Sequence, residues 1–365
     1  MDFTFSEDQR AIADLATSVF GDYCADEQLQ KQWDSGAAFD AALWLQLRET
    51  GLTALVLDED TGGSALGMVE LMLVLEQQGR FLAPAPLYAH QLTVAALARF
   101  GADKARLPAL AAGEQVATLS LDGIHSPLGI ALSASTDGTA WHLKGKAIAV
   151  PLAEQSAIAL LPAATSGGVK LFVVDMAAAG IRKVSGNLTH QIPAADLYFD
   201  HVTVGAPLAD DALSWLEPRV IASIAALQLG VSAEALKRVV AYTSERVQFD
   251  RPIATFQAIT QRTADCLIDV EALRSALWQL CWRIDAGLDA TGDMAVTKIW
   301  ASECGHRVTH AAQHMHGGMG ADLTYPIHRF TYWSRGLEAT FGGTEAHLNA
   351  LGQWLANPQH LGVEL

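Results

Sequence analysis

The stretch from Glu245 to Asp265, ERVQFDRPIATFQAITQRTAD, places Arg246 and Gln257 on either side of an aromatic residue, Phe249. Both are hydrogen-bonding side chains, and a few local arginines suffice to hold a small anionic ligand. Pro252 ends a helical pattern and biases Arg251 toward extended geometry, so Asp250, Arg251 and Pro252 mark a tight turn between two helices. Ile259, Ala264, Leu267 and Ile268 follow at spacings compatible with one buried helical face. By chemistry alone this is a helical hairpin with an arginine and a glutamine beside a ring. A solvated corner between two core helices is the reading ordinarily favoured for such a stretch.

A second cluster, His306, His310, His314 and His316, raises metal chemistry, because the first three share a helix face at spacings of four. No acidic or cysteine partner stands nearby in sequence, and a metal site needs a full ligand set, so none is expected. The following Gly317-Gly318-Met319-Gly320 lets a backbone approach a ligand closely, but such turns also simply cap helices. Cys24, Cys266, Cys281 and Cys304 are widely spaced and form no CxxC pair, which points to a reducing cytoplasm rather than a disulfide framework.

These groups need elements to position them, and 365 residues allow two or three domains. Half the residues are hydrophobic, and 18% are charged, as expected for a helix-rich protein with much buried or intersubunit surface. The formal charge of −16 excludes a general nucleic-acid binder. The N-terminal MDFTFSEDQRAIADLA lacks the basic and apolar regions of a signal peptide, and no membrane span is expected.

Residues 1–113 read as helical: Ser6 is an N-cap before Glu7 and Asp8, with Phe39 to Thr50, Met68 to Gly79 and Ala89 to Phe100 as further helices. Gly51 is the expected C′ residue of the second. Residues 114–211 carry short strand-like runs, at Ala117 to Leu121, Trp141 to Leu143, Lys170 to Val174, Ala195 to Phe199 and Val202 to Val204, suggesting a small barrel or sandwich. Residues 212–365 return to the helical period, with long apolar helices near Val220 to Thr243, Ile259 to Ala286 and Met294 to Met315.

Helical, β and helical domains in that order resemble the acyl-CoA dehydrogenase family, an α+β multidomain fold with a middle β-barrel and a C-terminal four-helix bundle. FSEDQRAIADLA resembles its first helix, and FVVDMAAAGI and ADLYFDHVTVGAPL its β-domain strands. ERVQFDRPIATFQAI resembles its ERxxFGxPIxxFQxI hairpin, and HMHGGMGADLTYPIHRF its HGGxGxxxxxPxxR segment. The resemblance covers essentially the whole chain, and the C-terminal pair is highly specific. It implies FAD at a dimer interface, oxidation of an acyl-CoA thioester to its trans-2-enoyl form, and an electron-transferring flavoprotein or similar acceptor. It further implies that Arg246 reaches the FAD pyrophosphate of a neighbouring subunit, with Phe249 and Gln257 at the same cofactor edge. His314 stands where many relatives have glutamine, and Met315, Gly317 and Gly318 match the backbone turn against that cofactor.

The other half of the family's site departs from the pattern. Where relatives carry a Thr-Glu-Pro-like run and a Trp-x-Thr run lining the isoalloxazine, this chain has Leu119-Ser120-Leu121-Asp122-Gly123 and Lys146 to Pro151. Ala149 replaces the tryptophan and Pro151 the threonine, removing donors. The familiar catalytic glutamate position falls on Gly342 or Phe341, and the alternative helix position on Val220 and Ile221, none of which is a base. Glu217 is the weak candidate base, more simply read as an acidic residue in a helix's first turn; Glu338 and Glu345 flank the other position. These departures resemble the non-base subunit of heterotetrameric, steroid-type acyl-CoA dehydrogenases, which completes the FAD pocket of a homologous partner. The alternatives are a self-sufficient homotetramer with a relocated base, and a non-catalytic acyl-CoA- or protein-binding scaffold.

Overall fold

The structure, a computed structural model, describes residues 4–36, 40–357 and 360. The first helices are α1 (Glu7–Tyr23), α2 (Asp26–Ser35), α3 (Ala41–Glu49), α4 (Met68–Arg80), α5 (Leu87–Phe100) and α6 (Leu107–Ala111). Seven strands follow: β1 (Ala117–Leu119), β2 (Leu132–Thr136), β3 (Trp141–Pro151), β4 (Ile158–Thr165), β5 (Gly168–Asp175), β6 (Ile181–Asn187) and β7 (Pro193–Val204). The chain ends with α7 (Ala212–Glu245), a hairpin of β8 (Val247–Gln248) and β9 (Arg251–Pro252), then α8 (Gln257–Asp285), α9 (Thr291–Met315), α10 (Ile327–Ala339) and α11 (Thr344–Leu355).

Local chemistry explains several boundaries. Ser6 Oγ accepts from the Gln9 N–H at 3.1 Å while the Gln9 side chain accepts from the Ser6 N–H at 2.9 Å, a reciprocal box that opens α1. Asp40 caps α3 by accepting from Ala42 and Leu43, and Gly51, at φ +75°, follows the helix in the left-handed conformation expected of it. Residue 39, the expected start of that helix, lies outside the described residues.

Contacts divide the chain into two compact units. One comprises the described residues of Leu29–Leu71 and Pro84–Val220. Its sheet runs β1-β4-β2-β3-β7-β6, with β5 on β4; the β1–β4 and β2–β4 pairs are parallel and the rest antiparallel. Leu143, Leu161, Phe172, Leu197 and Val202, from four strands, pack in one buried cluster. The two short runs expected at 195–199 and 202–204 are one strand, β7, and β2, β4 and β6 are additional.

The second unit comprises the described residues of Met1–Gln28, Met72–Ala83 and Ile221–Leu365. Within it α4 and α7 touch backbone to backbone: a Cβ on Gly79 would lie 2.1 Å from the Leu227 oxygen, and one on Gly230 would lie 1.9 Å from the Glu76 oxygen. Helix α7 starts earlier than its sequence pattern, and it runs through Pro218. By length and composition alone it is long and apolar enough to cross a membrane, but 83% of its most apolar window is buried inside the fold, as in a core helix. In α8 the expected apolar face is corrected. Cys266, Val270, Leu273, Leu277 and Leu280 are buried, whereas Leu267 and Ile268 are 52% and 64% exposed.

Candidate functional site

Arg246 follows the last residue of α7. Its N–H donates to the Tyr242 carbonyl at 2.9 Å, and its own carbonyl accepts from Ile253 at 2.9 Å across the hairpin. The pairing of Val247 with Pro252 and Gln248 with Arg251 leaves Phe249 and Asp250 as a two-residue loop. Both have positive φ, +54° and +62°, the pair a type I′ hairpin turn requires. The helical corner expected here is therefore a small β-hairpin. Aspartate tolerates that backbone, but for phenylalanine it costs about 1–3 kcal/mol. The ring gains no burial in return, being 87% exposed, with only an edge contact to Phe256 at 6.1 Å. Arg251 stacks on Phe256 at 4.1 Å, and Gln257 opens α8 with an exposed side chain.

The end of α9 lies against both neighbours of this hairpin. His316 is buried and stacks on Tyr242, at 4.3 Å and 21°, joining the C-terminal ends of α7 and α9. Its Nδ1–H donates to the Ala312 carbonyl at 2.7 Å, burial pulls its pKa down, and its buried Nε2 has no hydrogen-bond partner among the described residues. His314 and His310 each accept at Nδ1 from the Arg262 guanidinium, at 3.2 and 3.4 Å. Met315 is buried, and its sulfur lies 3.8 Å from the Thr263 hydroxyl on α8. Gly317, at φ +61°, and Gly318 face open space where a Cβ would be, whereas a Cβ on Gly320 would strike the Gln313 carbonyl at 2.1 Å. Arg246, Phe249, Gln257, His314, Met315, Gly317 and Gly318 thus sit on elements that meet at one end of the helical bundle. Arg262, His310 and His316 belong with them by contact, and only the shared helix face of the histidines hinted at it in sequence.

Elsewhere the groups are differently committed. In the sheet unit Ala149 has φ +52° at an irregularity in β3, and its N–H is taken by the Asp196 carboxylate at 2.8 Å. Pro151 offers no N–H, and its carbonyl accepts from the Thr118 hydroxyl at 2.7 Å. Glu217 lies inside α7, not at its start, and faces His125 Nε2 at 2.5 Å, both side chains being mostly buried. Sequence gave no signal for His125, since 92 residues separate the partners.

In the helical unit Phe341 is buried at φ +65°, its carbonyl accepting from the buried His347 Nε2 at 2.9 Å, and Gly342 follows at φ +85°. Beside it, buried Lys298 donates to the Leu337 and Glu338 carbonyls at 3.0 Å each. Burial pulls the Lys298 pKa down from 10.5 to about 7, opposed by the Glu338 charge. The Glu338 carboxylate is held by Arg335 at 2.6 Å and lies 3.5 Å from His306, while Glu345 is exposed. Ile221 is buried here, as Val220 is in the other unit.

The acyl-CoA dehydrogenase N-terminal domain model matches residues 6–114, and the C-terminal domain model matches residues 221–356. Acyl-CoA dehydrogenase FadE27 of Mycobacterium tuberculosis is 32% identical over 98% of this chain and 99% of its own length. The chain belongs to the acyl-CoA dehydrogenase family. Acyl-CoA dehydrogenases are FAD-dependent oxidoreductases, and the helical, sheet and helical order is theirs. Among solved structures, a Tcur3481-Tcur3483 steroid acyl-CoA dehydrogenase variant superimposes with a TM-score of 0.92, at 34% identity over 97% of this chain and 99% of that one. The ChsE4-ChsE5 complex from Mycobacterium tuberculosis also gives 0.92, at 32% identity over 98% and 99%.

Proposed function

We propose that this acyl-CoA dehydrogenase chain completes the FAD site of a homologous partner subunit in a heterotetramer that dehydrogenates a bulky acyl-CoA thioester to its trans-2-enoyl product. One observation carries this reading: the turn at the family's base position holds Phe341, buried and fixed through its carbonyl by His347, where a carboxylate would be needed. The edge that serves a neighbour's cofactor is intact by contrast. Arg246 is exposed and makes no ion pair among the described residues. Gly317 and Gly318 leave their backbone open, and His316 Nε2 is a buried acceptor awaiting a donor. These features fit part of a flavin dinucleotide. Arg246 would hold its diphosphate, with Phe249, Gln257, His314, Met315, Gly317 and Gly318 along the same edge. FAD, when bound, supplies the electron sink that side chains lack.

Ala149 and Pro151 offer the flavin ring no side-chain donors, so the ring contacts and the base belong to the partner. Exposed Leu267 and Ile268, beside a groove of about 590 Å³ between α7 and α8, suit packing against another chain. The similarity to the ChsE4-ChsE5 complex supports a partner, and the similarity to the Tcur3481-Tcur3483 steroid acyl-CoA dehydrogenase supports a bulky acyl group. An electron-transferring flavoprotein or similar acceptor takes the electrons onward. Four buried free cysteines suit the cytoplasm.

The test is co-expression with a homologous chain that carries the late glutamate, read by flavin spectrum and native mass. Two FAD per tetramer of two chain types is expected, and this chain alone should be colourless and inactive. Full flavin occupancy with turnover by this chain alone would overturn the proposal. The 2.5 Å Glu217–His125 contact favours a second reading, in which Glu217 is a relocated base. Under that reading Glu217→Gln abolishes nearly all turnover, and under the first it leaves turnover of the complex intact.

A further inference from the structure

Helix α8 leaves two apolar features open to solvent, one in each half. In its first half, Leu267 and Ile268 are 52% and 64% exposed, and beside them an apolar groove of about 590 Å³ opens against α7, walled by Leu236, Val240, Ile259 and Val270. In its last turn stands Trp282, 44% exposed and the only exposed tryptophan among the described residues. Large aromatic side chains anchor interfaces when they find a pocket. One helix thus bears both a socket and a plug.

The stripe between them suits close approach. Leu267, Glu271, Ser275, Trp278 and Trp282 follow at three- and four-residue steps and so share one face of the helix. Midway along it, Ser275 is small and exposed, and its hydroxyl already donates to the Glu271 carbonyl at 2.9 Å, so covering it strands no donor. The charges bordering the stripe are neutralised from within. Arg274 pairs with Glu76 at 2.8 Å and with Glu271 at 3.4 Å, and Lys237 lies 3.7 Å from Glu234. In a chain of formal charge −16, this is a face that another copy can meet with little repulsion.

We infer that the outer face of α8 pairs with the same face of a second copy of this chain, antiparallel about a two-fold axis at Ser275. The placement of socket and plug selects this axis. Leu267 and Trp282 stand about 22 Å apart along the helix, on either side of Ser275. An axis through Ser275 perpendicular to the helix therefore brings Trp282 of each copy over Ile268 and the groove of the other. An axis parallel to the helix would set groove against groove and leave both empty. Antiparallel pairing also sets Glu271 opposite Gln279, a neutral donor, rather than opposite another acid. The groove's volume falls within the ~300–1,000 Å³ of sites that take a drug-sized ligand, so an indole enters it whole. The contact is isologous: each copy gives one plug and receives one, and the assembly closes at two. It needs no flavin, and it joins the two copies of this chain that the proposed heterotetramer contains.

The test places a thiol on the axis, in this chain purified alone and in the complex with its homologous partner. Ser275→Cys should cross-link through a short bis-maleimide to a species of twice the chain mass, since only a residue near a two-fold axis meets its own copy. The natural chain, whose four cysteines are buried, should give none. Trp282→Ser should weaken pairing of the copies at least tenfold in sedimentation equilibrium while keeping the helical circular-dichroism spectrum. Val240→Glu, which puts a charge at the groove, should do the same from the other side. A cross-link to the homologous partner instead, no cross-link at all, or unchanged pairing in Trp282→Ser would overturn the inference. None of these outcomes touches the flavin reading, which stands or falls on cofactor occupancy of the complex.

Discussion

Under the proposed function, two places in this chain would correspond to the two halves of a flavin enzyme's site, and they are built on opposite terms. At the hairpin end of the bundle, polar and aromatic groups are exposed: Arg246 without an acid among the described residues, Phe249 at 87% exposure on a left-handed backbone, and Gly317 and Gly318 with bare surfaces. At the turn after α10 the reverse holds. Phe341 points inward, and His347 and Lys298 spend their hydrogen bonds on backbone carbonyls. The first region keeps strain and exposure that folding alone does not reward. The second has been closed into ordinary core. Function is legible where the chain tolerates a cost, and its loss where the cost has been removed.

The largest expected effect comes from forcing the second region to resemble an active turn. Phe341→Glu should destabilise the protein by about 3–5 kcal/mol in denaturant unfolding, because it trades a buried ring for a buried carboxylate. It should confer no turnover on the isolated chain. A stable variant that gained flavin and activity would erase the contrast.

Next is the pH dependence of the same turn. The folded pKa of Lys298, about 7, lies below its ordinary value of 10.5, so the unfolded chain binds more protons between them. Stability should therefore rise with pH from about 7 to about 10.5, with the full penalty present below that window. Comparing denaturant midpoints of the natural chain and Lys298→Met at pH 7 and 9.5 isolates this slope. Equal slopes in both would exclude Lys298 as its source.

The smallest effect sharpens the first region. Phe249→Gly relieves the left-handed backbone and should raise stability by about 1 kcal/mol while weakening FAD binding in the complex. A fall in stability would mean that the ring packs in the isolated chain after all.

Helical segments with unbroken apolar periodicity, such as α4, α5, α8 and α9, were legible within a few residues. Strand β4 was not, since Pro162 stands in its middle and argues against a strand, yet it sits opposite Leu171 in the sheet. The apolar spacing of Leu267 and Ile268 was readable but its side was not, because a face that meets another chain looks in sequence like a face that meets the core. The site divides in the same way. Arg246, Gln257 and the glycine turn lie within recognisable motifs. His125 with Glu217, and Lys298 with the carbonyls after α10, meet only because the chain returns from far away, and no local pattern encodes that.

The backbone contact between α4 and α7 at Gly79 and Gly230 leaves no gap in which either helix could slide along the other. Since α7 ends directly at Arg246, that contact acts as a ruler, fixing the height at which the guanidinium is presented before any cofactor or second chain arrives. Assembly would then proceed by docking of a finished edge, with little ordering entropy left to lose on this side, and its speed would be governed by encounter.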